Sequence, residues 1–237
     1  MSESEERPIE IAKDGAWPVV QRLNAALEAG DITEAQWHSG VADLIVPAYL
    51  AGENPRAQSG SDGSVADWTY KRGLIADAVN RSGSFLDVGC ASGYLMETMH
   101  EWCGERGYAI EPYGLDISPE LADLARRRLP QWEDRIFVGN AIDWTPPQRF
   151  DFVRTGLDYV PPRRRRDLVQ RLLADVVAPG GRLIIGTHNE ERDETRTEPS
   201  ETERVALWVF QIAGRTERPH LSDSRLVYRV VWIDRPR

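Results

Sequence analysis

SFLDVGCASG, residues 84–93, is an apolar run that ends in an acid and breaks into a glycine-rich turn. Residues 84–88 read as a buried strand, and the stretch from Gly93 to Cys103 reads as an amphipathic helix. Gly89 and Gly93 mark the points where the backbone must bend and where it can approach another group without a Cβ in the way. Strand, turn and helix in this order make one unit of a parallel sheet. Whether the turn also holds a ligand depends on the residues that follow.

The unit repeats. YGLDI (113–117) is a second strand, followed by a helix from Pro119 to Leu129, and RIFV (135–138) is a third strand. RFDFVRT (149–155) is a fourth. Pro161-Pro162 then opens a helix from Arg163 to Val177, proline being well tolerated on that side. Pro179-Gly180-Gly181 turns into GRLIIGTH, a fifth strand, and a helix over Glu201–Ala213 and a strand LVYRVVWI (226–233) close the chain. Alternating strands and helices imply parallel pairing, because parallel strands need long crossovers that helices supply.

Upstream the pattern is helical. The first dozen residues are charged and are expected to be disordered, since they bury too little apolar surface to offset ordering. Leu23, Ala26 and Leu27 fit a helix ending at Gly30, and a second helix carries Trp37, Val41, Leu44 and Ile45, with Asp31 as its expected cap and a break or kink at Pro47. GENPRAQSGSDGS (52–64) has loop composition, and Val65–Val79 is helical again. Residues 1–70 are therefore expected to form a helical extension or lid, and 71–237 the α/β domain.

The turn lacks the GxGxxG of dinucleotide binders and the GxxxxGK[ST] of P-loops. Asp87 places a negative charge beside it and no lysine follows, so a ligand with an amino or sulfonium cation suits it better than a pyrophosphate. Asp116, at the tip of the second strand, can accept two hydrogen bonds from a ribose diol or can merely cap the next helix. Asn140, after the third strand, offers an amide to a base edge.

In this order the segments resemble the class I S-adenosylmethionine-dependent methyltransferases, particularly the small-molecule branch. LDVGCASG is similar to that family's first motif, GLDIS to its second and GNAID to its third. RFDFVRTGLDYVP resembles the fourth and VVAPGGRLIIGT the fifth-strand segment. The resemblance implies a Rossmann-like, mostly parallel seven-stranded sheet with one antiparallel strand and helices on both faces. It also implies S-adenosylmethionine as cofactor and S-adenosylhomocysteine as product. Gly89, Cys90 and Ala91 would then contact the methionine portion, Asp87 would orient its amino group and Asp116 would hold the ribose. Ile117 and Ile142 would sandwich the adenine, with Asn140 and Ala141 at its edge; Asn140 stands where many members have Asp. Thr155 would face the amino-acid end or the methyl group, and Arg72 is a candidate for the carboxylate because arginine binds carboxylates bidentately.

Composition limits the acceptor. The chain has 237 residues and a net charge of −9, which gives no general attraction to nucleic acid or anionic membranes. The run Arg163–Arg166 reads as a solvated helix face. The 2 cysteines and 4 histidines show no metal-ligand spacing, and no stretch approaches a membrane span. A small-molecule acceptor and a cytoplasmic location are expected. The fourth strand leads into TGLDYVPP rather than the Asn/Asp-Pro-Pro-aromatic signature of nucleic-acid amino methyltransferases. RNA or protein methylation, or cofactor binding without catalysis, are the alternatives. Should a base be needed, His188 is a weak candidate beside Asp158 and Tyr159. The acceptor atom and the oligomeric state are left open.

Overall fold

The structure, a computed structural model, describes residues 8–192, 199–208 and 210–237. Two helices come first, α1 (Pro8–Ala29) and α2 (Glu34–Leu50), then α3 (Val65–Arg72) and the short α4 (Leu74–Asp77). The sheet strands are β1 (Gly83–Val88), β2 (Ile110–Asp116), β3 (Ile136–Val138), β4 (Phe150–Thr155), β5 (Val177–Glu191), β6 (Gly214–Pro219) and β7 (Leu226–Asp234). Helices α5 (Tyr94–Glu105), α6 (Pro119–Arg128), α7 (Arg165–Arg171) and α8 (Glu201–Leu207) lie between them.

The sheet order is β3-β2-β1-β4-β5-β7-β6. Strands β1 to β5 pair in parallel, and β7 runs antiparallel to both neighbours, β5 and β6. Adjacent residues in each strand feed opposite layers, as the two-residue side-chain period requires. Leu86, Val153, Leu183 and Val231 pack with Leu168 and Val169 of α7 on one face. Phe85, Phe152, Ile184 and Val230 pack with Trp68, Leu74 and Met99 on the other. The order reverses between β1 and β4, so their carboxyl ends form the crevice where ligands bind in open α/β sheets.

Several boundaries differ from the sequence reading. Helix α1 begins at Pro8, inside the stretch expected to be disordered, with proline at a first-turn position where its missing N–H costs nothing; residues 1–7 lie outside the described residues. The cap of α2 is Thr33 and not Asp31. Thr33 accepts from the Gln36 N–H while the Gln36 side chain accepts from the Thr33 N–H, a reciprocal box that Asp31 cannot make. Pro47 stays inside α2, and the helix expected over 65–79 stops at Gly73 and resumes as α4. The division at residue 70 falls within α3, whose Trp68 is buried in the sheet's own core, so α3 packs as part of the α/β unit. The helix expected through Val177 is a 3₁₀ turn, α7 and a wider turn at Leu172–Val176. Helix α8 ends at Leu207 rather than Ala213, and Gly214–Pro219 is a strand that the sequence reading missed.

Helices α1 and α2 form a hairpin with its own small core. Leu27 and Trp37 are buried, and the Trp37 indole N–H donates to Asn24 Oδ1 at 2.8 Å. The hairpin is pinned to the α/β domain by the arginine run. Arg163 donates to the Leu27 carbonyl and to Glu34 at 3.3 Å each, and Arg164 lies 3.5 Å from the same carboxylate. Two of the four arginines are therefore clamps on the hairpin and not a solvated face.

Candidate functional site

The turn after β1 is wound left-handed at three points: Gly89 (φ 75°), Ala91 (φ 47°) and Gly93 (φ 74°). Among the described residues Ala91 alone has a positive φ without being glycine, a conformation that is costly for a residue with a Cβ. The N–H groups of Gly89 and Cys90 both donate to the Leu115 carbonyl, at 2.7 and 3.1 Å. Asp116 completes the lock: Oδ2 accepts from the Ala91 N–H at 2.8 Å and Oδ1 from the Ser118 N–H at 2.9 Å. Burial pushes Asp116 up from the ordinary carboxylate range, against the pull of these backbone N–H groups. The Ile117 N–H pulls on the same carboxylate, which still keeps an acceptor position for a further donor. So Asp116 does more than the sequence implied: it ties the tip of β2 to the strained turn of β1.

Behind the turn the fit is tight. A Cβ on Gly114 of β2 would lie 2.8 Å from Cys90 Sγ and Met96 Sδ, and one on Gly93 would lie 2.6 Å from Leu129. Burial pushes the Cys90 thiol well up, so this cysteine is packing and not a nucleophile. The loop expected at 52–64 reaches over the turn, where Ser92 Oγ donates to the Pro55 carbonyl and lies 2.7 Å from Ser59 Oγ.

Beside β2 and β3 a cleft of about 620 Å³ opens beneath α2. Ile117, Asn140 and Ile142 line it from the sheet side, and Glu34, His38 and Asp43 from α2. Ile117 is 43% exposed, which makes it an apolar surface presented to the cleft and not a core residue. Ala141 is buried. Asn140 does not offer its carbonyl to the cleft as anticipated. That oxygen accepts from the Ile142 N–H at 3.1 Å, and the amide nitrogen faces His38 Nε2 at 3.5 Å.

At the other end of the turn lies a charged cluster drawn from four elements. Asp87 and Arg154 are almost fully buried, 1% and 4% exposed, and Arg154 Nη1 donates to Asp87 Oδ1 at 3.1 Å and to the Tyr159 hydroxyl at 2.8 Å. Burial pushes Asp87 up to about 6, although Arg154 and then Arg72 pull the other way. Arg154 stays above its ordinary value because Tyr159 and Asp87 outweigh the effect of burial. Its Nε is buried without an acceptor. The Tyr159 ring lies across Gly89, where a Cβ would come within 2.8 Å of it. Arg72, half-buried with its guanidinium 5.5 Å from the centre of the Trp68 ring, is held below its ordinary value by burial and then by Arg154. Tyr49, from the last turn of α2, is pushed up by burial and then by Tyr159. Burial also raises Tyr159, so both phenols stay protonated at neutral pH.

Thr155 is fully buried and donates its hydroxyl to the Gly156 carbonyl at 3.0 Å, so it braces the end of β4 and does not face the cleft. The His188 backbone lies in β5, and its side chain falls outside the described residues. The structure thus gathers Arg72, Asp87, Gly89, Asp116, Ile117, Asn140 and Ile142 around one continuous edge of the sheet, with Tyr49, His38 and Arg154 added to it. Among the described residues no group of His, Cys, Asp and Glu side chains could hold a metal ion, and no helix is long and apolar enough to cross a membrane.

Comparison with known proteins agrees with this geometry. A family profile described as a methyltransferase domain matches residues 85–181, from the start of the glycine turn's strand to the turn before the fifth strand's core. The tRNA U34 carboxymethyltransferase of Idiomarina loihiensis is 32% identical over 136 residues, 55% of this chain; the match spans 40% of that protein's length. The N-methyltransferase NodS from Bradyrhizobium japonicum WM9 superposes with a TM-score of 0.54 at 17% identity, over 73% of this chain and 96% of its own. The cyclase SpnF does so with a TM-score of 0.52 at 15% identity, over 70% of this chain and 79% of its own. At such identities the solved structures show the fold alone, and they carry different activities on it.

Proposed function

We propose that this chain, a member of the class I S-adenosylmethionine-dependent methyltransferases, transfers a methyl group to a small-molecule acceptor bound beneath the α1–α2 hairpin. The observation that carries this reading is the left-handed turn at Gly89 and Ala91, locked to Asp116 at the switch point of the sheet. The groups around it match the cofactor in kind and order. The acceptor position that Asp116 keeps takes a ribose hydroxyl, and Ile117 and Ile142 present apolar faces to the adenine. Asp87 Oδ1 is taken by Arg154, which leaves its second oxygen to orient the ammonium, and Arg72 binds the carboxylate.

S-adenosylmethionine supplies a methyl on a sulfonium, which is already activated, so the protein must chiefly align the acceptor and exclude water. Helix α2 covers the cleft, and the Glu34 clamp to Arg163 and Arg164 holds it there. Tyr49 and Tyr159, kept neutral by burial, hydrogen-bond the acceptor and do not abstract its proton. The rim of the adenine cleft, with Glu34, Asp43, Glu120 and Asp143, is acidic and offers no attraction to a phosphate backbone there. RNA methylation is the second reading, because a relative matching over 55% of this chain carries the name of a tRNA-modifying enzyme.

The first test is the melting temperature with S-adenosylhomocysteine for wild type and Asp116→Ala. Ligand at 100 times its Kd stabilises by about 2.7 kcal/mol, which wild type should show and the variant should lose. No shift in wild type at millimolar ligand sinks the reading. Labelled methyl donor offered with total tRNA, then with small-molecule extracts, separates the two acceptor classes.

A further inference from the structure

Of all the polar side chains that α2 turns toward the sheet, His38 is the one whose ring orientation and tautomer are fixed by its partners. Its Nδ1 lies 2.8 Å from the Glu34 carbonyl, which can only accept, so Nδ1 carries the proton and Nε2 carries a lone pair. The neighbouring Asn140 is fixed as well: its oxygen takes the Ile142 N–H, which turns its NH₂ toward His38 Nε2 at 3.5 Å. That distance is at the outer limit of a hydrogen bond, so the Nε2 acceptor is only weakly used. His38 lines the same cleft as Ile117 and Ile142, the two apolar side chains that suit a flat ring. The Trp37 indole, 5.0 Å away edge-on, and the Asn24 bond behind it hold this turn of α2 in place.

We propose that His38 reads the adenine of the cofactor, its Nε2 accepting a hydrogen bond from the exocyclic amine. The inference rests on the cofactor reading above and goes beyond it, since the adenine edge is then recognised by the hairpin and not by the sheet alone. Asn140, whose oxygen is already engaged, serves to hold His38 and the Ile142 backbone. The other acceptors on the cleft are less suited. Asp43, Glu120 and Asp143 are exposed, where water competes for them, and Glu34 is bound to Arg163 and Arg164. Because His38 sits on α2, a bound adenine would join the hairpin to the sheet.

The experiment compares S-adenosylhomocysteine with S-inosylhomocysteine, in which a carbonyl replaces the amine, by titration calorimetry. An amine facing an acceptor is favoured, whereas a carbonyl facing the same lone pair is rejected. Wild type should prefer the adenosyl compound by tenfold or more, on the order of one good hydrogen bond. His38→Ala should cut that preference by about tenfold, weakening the adenosyl compound and binding the inosyl compound at least as well as wild type does, which also shows that the variant is folded. An unchanged preference in His38→Ala, or its loss in Asp143→Asn instead, overturns the assignment and leaves the cofactor reading intact. Wild type that binds neither compound overturns both.

Discussion

Replacing Arg154 by Met leaves Asp87 buried without the guanidinium that faces it. The two groups are 3.1 Å apart and 4% and 1% exposed, so solvent does little to screen them. At an effective dielectric near 20 the attraction is about 5 kcal/mol, before the cost of desolvating both groups. Breaking one side of such a buried pair typically costs about 3–5 kcal/mol, because the remaining charge has no partner. Arg72 is close enough to Asp87 to offset part of this, which places the expected loss at about 3 kcal/mol at pH 8. The loss must depend on pH. In the folded wild type Asp87 is pushed up to about 6, above its ordinary value, so ionising it works against folding: the penalty is absent below pH 4 and complete above pH 6. Without Arg154 the folded value moves higher still, and the gap between the two proteins widens from pH 5 to pH 8. Urea unfolding at both pH values measures it, with Asp87→Asn/Arg154→Met as the companion that removes both charges and should recover part of the loss. A gap under about 1 kcal/mol at pH 8, or one of equal size at pH 5, would refute the claim that burial and this ion pair govern Asp87.

Three further outcomes follow from the same geometry. Gly89→Ala puts a Cβ at φ 75° and within 2.8 Å of the Tyr159 ring, so it should cost about 2 kcal/mol or more and abolish S-adenosylhomocysteine binding; normal affinity in titration would contradict the packing. Ala91→Gly relieves a left-handed alanine at φ 47°, a gain of about 1–2 kcal/mol that the freer unfolded chain partly cancels, so the urea midpoint should rise slightly; a loss above about 1 kcal/mol would argue that the Ala91 methyl is needed. Glu34→Gln loosens a half-exposed clamp to Arg163 and Arg164 and should lower global stability by less than about 1 kcal/mol while speeding cleavage of the α1–α2 hairpin by a protease; unchanged cleavage would mean that the clamp does not hold the hairpin.

The central strands β1 and β4 are legible because FLDV and FDFV are largely apolar runs buried in the sheet, and GLDI and RIFV stand out by the same apolar, β-branched composition. Strand β6 is not, because GRTERP is polar, alternates half-buried and exposed residues, and sits at the sheet edge, where nothing in its composition separates it from a loop. Helix α8 was drawn too long for the opposite reason: Trp208, Phe210 and Ile212 are apolar, yet they pack on the core as irregular chain beyond the helix. The glycine turn and Asp116 could be read locally, since strand, turn and cap lie within a few residues. What could not be read is convergence. Tyr49, Arg72 and Asp87 come from three separate segments and Arg154 with Tyr159 from a fourth, and Arg154 looks in the sequence like any other residue of a strand. The orientation of Asn140 depends on the Ile142 N–H and on a histidine from a distant helix, so its carbonyl could be placed only from the fold. The Thr155 hydroxyl, too, could be placed only from the fold, since a hydroxyl at a strand end can turn inward to the next carbonyl as readily as outward.

The antiparallel strand has a bearing on how the molecule is made. Strand β6 precedes β7 in the chain, yet every one of its ladder partners, from Trp232 opposite Gly214 to Val227 opposite Pro219, belongs to β7. During synthesis the five parallel strands can assemble from the centre outward as they emerge, β1 first, whereas β6 leaves the ribosome with nothing to pair with. It stays an unattached ribbon until β7 threads between it and β5. The landing is keyed by shape: the Trp232 ring lies so close over Gly214 that a Cβ there would sit 2.2 Å from it, so only glycine admits the tryptophan. Until that moment the edge of β5, with Ile184 and Ile185, is open to other chains. Strand β7, made after both of its neighbours, is the one that covers the edge of β5.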